Sequence, residues 1–86
     1  MAAMRHPPLN EPVAVTAREH GYFPKSFVWR GRRVTVKAVE RCWTINRRNW
    51  LGSAERHCFR VRTADATYIL SQDLRRDTWR LERVVR

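Results

Sequence analysis

Apolar and polar residues alternate with a period of two along most of this chain, which sends successive side chains to opposite faces and predicts strands rather than helices. The firmest instance is Phe27-Val28-Trp29-Arg30-Gly31-Arg32-Arg33-Val34-Thr35-Val36, two alternating runs either side of a glycine turn. Phe27 and Trp29 share one face, with Val34 and Val36 available to meet them across the hairpin. Gly31 supplies the positive φ that a tight turn needs. The second arm runs from Arg33 through Val39 towards Trp43. Its apolar phase shifts between Val36 and Val39, which predicts a β-bulge that curls the sheet, with a short helix over residues 37–41 as the competing explanation. Downstream, Phe59 and Val61 alternate with Arg60 and Arg62, and Ala64-Asp65-Ala66 makes a turn. Tyr68 and Leu70 then return on the inner face, and Trp79 and Leu81 point inward while Arg80 and Glu82 point out.

The N-terminal third carries a weaker pattern. Residues 1–11 hold His6-Pro7-Pro8 and little that packs, which predicts a flexible arm ahead of a single small domain over residues 12–86. Pro12-Val13-Ala14-Val15-Thr16-Ala17 reads as a first strand that covers the sheet, with Pro12 confined to its start or to an edge. Gly21-Tyr22-Phe23-Pro24 reads as a connector whose two aromatics plug an open end of the core. Residues 46–54, with Asn46, Asn49, Gly52 and Ser53, read as a loop with Trp50 folding back. The expected fold is mainly β: a small antiparallel curled sheet or partly open SH3-like barrel of five to six strands.

Composition limits the core and sharpens the question of partners. A chain of 86 residues buries only about 60–65% of its unfolded surface, so stability leans on bulky side chains. Trp29, Trp43, Trp50 and Trp79 are expected to staple the sheet. The formal net charge is +10, a field that concentrates polyanions at the surface. Only Lys25 and Lys37 are lysines, so sixteen of the basic residues are arginine. That skew is also what a GC-rich coding bias produces. Guanidinium groups nonetheless fork onto phosphate and stack on rings in ways that lysine does not.

The sharpest candidate is a nucleic-acid-binding face opposite the core. Arg30, Lys37, Arg60, Arg62 and Arg80 should project there from neighbouring strands, with Arg32 and Arg33 at the hairpin tip and Trp50 or Tyr22 stacking a base. The competing arrangement is a solvated face whose arginines pair with Glu40, Glu55 and Glu82. No metal or other cofactor is expected: His57 and Cys58 are adjacent on a strand, face opposite ways, and cannot easily share an ion with Cys42. The same geometry weighs against a Cys-His nucleophile, and no paired carboxylates stand out for acid–base catalysis. Cys42 and Cys58 lack CxxC spacing and are expected to be small buried hydrophobes in a reducing, cytoplasmic setting. Residues 1–10 show no signal-peptide core, and no apolar run approaches the ~18 residues of a membrane span.

Pro24, Phe27, Trp29-Arg30-Gly31, Val34, Val36, Trp43, Trp50, Phe59-Arg60-Val61, Tyr68-Ile69-Leu70, Asp73 and Trp79-Arg80-Leu81 form a framework. It resembles a small bacterial domain family of unknown function, similar to the C-terminal tail of the inactive Y-family polymerase relative of translesion mutasomes. The resemblance covers residues 24–85 and rests mainly on framework positions. Members often carry a tryptophan pair where this chain has Asn49-Trp50. The resemblance implies DNA damage tolerance, with translesion polymerase or recombinase-type proteins as partners, and transfers no catalytic residue. Two function classes follow: a non-catalytic accessory module that binds DNA or RNA through a basic sheet face, and a protein-interaction or structural domain with no nucleic-acid contact.

Overall fold

Seven antiparallel strands form one curled half-barrel sheet in this computed structural model, which describes residues 9–49 and 52–85. In chain order they are β1 (Glu11–Glu19), β2 (Phe23–Trp29), β3 (Arg32–Thr35), β4 (Ala38–Asn49), β5 (Gly52–Arg62), β6 (Thr67–Asp73) and β7 (Thr78–Val85). Across the sheet the order is β3-β2-β1-β7-β6-β5-β4. The mainly β architecture agrees with the alternation, with one strand more than the upper expectation.

The extra strand comes from the arm that reads as one long strand after Gly31. β3 stops at Thr35 and β4 starts at Ala38. Between them the Val36 N–H donates to the Lys25 carbonyl on β2 at 2.9 Å, and the Lys37 N–H donates to the Arg62 carbonyl on β5 at 2.7 Å. Two residues therefore carry the chain from one margin of the sheet to the other. The phase shift between Val36 and Val39 marks this crossover, not a helix; a β-bulge does follow it, between Val39 and Arg41.

Three other expectations change. β1 does not cover the sheet but lies inside it, paired with β2 on one side and β7 on the other. Its ladder with β7 is short: Glu11 faces Leu81, Pro12 faces Arg80 and Val13 faces Trp79. Residues 46–49 and 52–54, read as loop, are strand, because β4 and β5 stay in register out to Asn49 opposite Gly52; ladder continuation overrides the poor strand propensity of asparagine and glycine. Residues 9–11, read as part of the arm, belong to the folded domain. Leu9 packs against the core and donates to the Glu82 carbonyl at 2.8 Å, and β1 opens at Glu11. Residues 1–8 and Trp50 lie outside the described residues.

The core follows the predicted inner faces. Phe27, Phe59, Val61, Leu70 and Leu81 are fully enclosed, and Tyr68 and Trp79 are buried with them. Phe27 meets Tyr68 edge to face with centroids 5.6 Å apart, and Phe59 lies 5.4 Å from Trp79. Such contacts add to burial by about 0.5–1.5 kcal/mol each. Tyr22 and Phe23 close one end, Tyr22 standing edge-on to Phe59 at 5.4 Å and to His57 at 5.3 Å. Burial pushes the Tyr22 phenol above its ordinary value, with Cys42 adding to the shift. Trp29 is half-buried at the other end, 5.8 Å from Tyr68. The tryptophans thus divide: Trp79 staples the core, Trp29 closes a mouth, and Trp43 is half-buried on the opposite face of the sheet. Cys58 is buried, whereas Cys42, expected inside, is exposed.

Candidate nucleic-acid interface

The strands β4 to β7 build the face opposite the core by simple alternation. With Phe59, Leu70 and Leu81 inward, their neighbours Cys58, Arg60, Ser71 and Arg80 face outward. Register then sets a row across four strands: Trp43 opposite Cys58, Cys58 opposite Ser71, and Ser71 opposite Arg80. One step along, Arg41 stands opposite Arg60. The Arg41 guanidinium lies 5.3 Å from the centroid of the Trp43 ring, within cation–π range.

Cys58 and Ser71 are only 1% and 2% exposed although they sit on this outer face. Arg56 of β5 and Glu82 of β7 pair at 2.9 Å, reaching across the intervening β6. Burial raises the Cys58 thiol above its ordinary value; Glu82 pushes the same way and Arg56 opposes. The outcome is a small, closed floor with a half-exposed indole on one side and a guanidinium on the other.

The expected site residues separate into groups. Arg60 and Arg62 converge on a single carboxylate, Glu40, at 3.3 Å and 3.6 Å. One carboxylate balances one of the two, so the cluster keeps a net positive charge, and exposed pairs of this kind contribute little to stability. Arg80 is aimed by Asn10, with Nε donating to Oδ1 at 2.7 Å and Nη2 donating to the main-chain carbonyl at 2.6 Å. Arg32, Arg33 and Lys37 are exposed at the β3 margin and the crossover, where they border a shallow hollow of about 230 Å³ with Thr63 and Asp65.

Arg30 does not project from a strand as expected. It occupies the β2–β3 turn with φ 53°, followed by Gly31 at 77°, and its guanidinium stacks 4.6 Å from the Trp29 ring centroid. Its Nε donates to Glu11 at 2.9 Å, and Trp29 Nε1 donates to the same carboxylate oxygen at 2.9 Å. Hydrogen bonds from Arg30 first and Trp29 second bring the Glu11 carboxyl down to about 2, and the pairing raises Arg30. This clasp closes the Trp29 end of the half-barrel.

Arg41, Trp43 and Arg56 belong to the outer face and were not among the expected site residues, Trp43 having been read only as a staple of the sheet. The available signal was the period-two spacing of Arg41 and Trp43; what hid it was the bulge at Val39/Arg41, which decides the face that Trp43 takes. His57 and Cys58 do point to opposite sides of the sheet, His57 beneath Tyr22 and Cys58 beneath the Arg56–Glu82 pair. Among the described residues no three His, Cys, Asp or Glu side chains group as metal ligands, and no helix is long and apolar enough to cross a membrane.

The profile of a family described as a domain of unknown function, DUF6504, matches residues 4–86. No curated protein and no solved structure matches the chain.

Proposed function

The chain belongs to the DUF6504 family, and from that standing we propose that it is a non-catalytic accessory module that binds nucleic acid on the outer face of β4 to β7. The observation that carries this reading is the cross-strand pair of Arg41 and Arg60 beside Trp43. Like charges directly opposite on neighbouring strands destabilise a sheet. A phosphate laid between them relieves that repulsion, and bound guanidinium groups release counterions from the nucleic acid. Trp43 offers a ring on which a base can stack, the interaction that favours single strands over a closed duplex. Participation in DNA damage tolerance alongside translesion polymerase or recombinase-type proteins rests on the resemblance of the framework from Pro24 to Trp79-Arg80-Leu81, and a cytoplasmic setting rests on the two cysteines without CxxC spacing.

The test is fluorescence anisotropy of a labelled oligothymidylate across a salt series. The double variant Arg60→Glu, Arg62→Glu should weaken binding and reduce the magnitude of the log–log salt slope by about 0.7 for each phosphate that is no longer neutralised. Trp43→Ala should weaken binding by about 1–3 kcal/mol and leave the slope in place. Affinity that ignores both changes would sink the proposal.

A further inference from the structure

We propose that the free margin of β4 takes up an extended acidic peptide from a protein partner, which adds to the sheet as a further strand. Among the described residues β4 ends the sheet and pairs only with β5. Its twelve residues therefore present a row of main-chain donors and acceptors on the side away from β5. Natural edges are commonly shortened, bulged or interrupted by proline to prevent such pairing; β4 is long and free of proline, and beyond its bulge at Val39/Arg41 its ladder runs unbroken from Arg41 to Asn49.

The crossover keeps this margin open. Val36 is tied to β2 and Lys37 to β5, and beyond them the two sides of the half-barrel diverge. β3 pairs with β2 only between Ser26 and Trp29, so it does not reach the start of β2. The gap is a cleft of about 480 Å³ lined by Glu19 and Phe23 on one side and by Val39, Glu40, Arg41 and Cys42 on the other. Phe23 and Val39 pack against the core and give the cleft an apolar floor, while Cys42 is exposed. Glu40 is already engaged by Arg60 and Arg62.

A peptide strand laid along β4 would drop alternate side chains towards Phe23 and Val39 and turn the others to the Arg41 side. Apolar residues suit the first row and carboxylates the second. Charge also selects among occupants. A second copy would bring two chains of net charge +10 together, whereas an acidic strand is attracted by the same field.

The experiment uses the full chain and an end-blocked, fluorescein-labelled peptide of alternating valine and glutamate. Saturable binding is expected, together with slowed amide exchange along β4. A peptide N-methylated at alternate amides should bind roughly tenfold more weakly or worse, since it cannot complete the ladder. Cys42→Asp, an exposed change that should leave the circular dichroism spectrum intact, should reduce affinity for the unmodified peptide. No saturable binding, indifference to N-methylation, or exchange protection at β3 in place of β4 would each overturn the proposal. So would self-association of the chain that protects the same β4 amides, which would assign the margin to a second copy.

Discussion

Glu11 accepts from Trp29 Nε1 and from the Arg30 guanidinium, and these bonds bring its carboxyl from an ordinary 4.5 to about 2. A carboxyl lowered in the folded state stabilises the protein fully above its unfolded value, and that contribution disappears as pH falls from about 4.5 through about 2. Denaturant midpoints measured down that range should therefore fall, and Glu11→Gln should flatten the fall. Parallel curves for the two proteins would show that the clasp is not what acid removes. At this scale the phases of Phe27, Phe59, Val61, Tyr68, Leu70, Trp79 and Leu81 were readable, because burial on one face enforces period two. Arg30 was not. Its destination depends on Glu11, nineteen positions away, and no local pattern announces a partner at that distance.

Among the elements, the β2–β3 hairpin is the clearest case of local chemistry setting backbone shape. Trp29 faces Arg32 across a two-residue turn in which both Arg30 and Gly31 have positive φ, the turn geometry that suits the twist of paired strands. Nothing lies within 4 Å of a Cβ placed on Gly31, so the cost of a side chain there is backbone strain alone. Gly31→Val should lower stability by about 1–2 kcal/mol in equilibrium denaturation; an unchanged midpoint would count against this account of the turn. The crossover at Val36 and Lys37 was legible only as a break in phase. A change of hydrogen-bonding partner from β2 to β5 and a bulge within one strand disturb alternation alike, and only tertiary closure distinguishes them. The β4–β5 hairpin was obscured for the opposite reason, since its outer residues have weak strand preference and are carried by the ladder behind them.

For the whole molecule, the location of the core divides the labour. Six of the seven side chains in its central cluster, Phe59, Val61, Tyr68, Leu70, Trp79 and Leu81, come from β5 to β7, and the seventh, Phe27, comes from β2, whose Pro24 is also fully enclosed. Leu70→Ala should cost about 2–5 kcal/mol, as expected for a fully enclosed leucine, and should lower the midpoint of every probe together. Retention of a native midpoint would mean that the interior refills around the missing side chain.

The three residue pairs that join β1 to β7 have a kinetic meaning. Each half of the sheet, β1 to β3 and β4 to β7, zips between neighbours in sequence, but Asn10 and Arg80 meet across seventy positions. Closing so distant a contact is entropically slow, and so short a seam is where transient opening should begin. Val13→Ala should accordingly release the amides of β1 to β3 to deuterium before those of β5 and β6; uniform release would show that the domain breathes as a single unit.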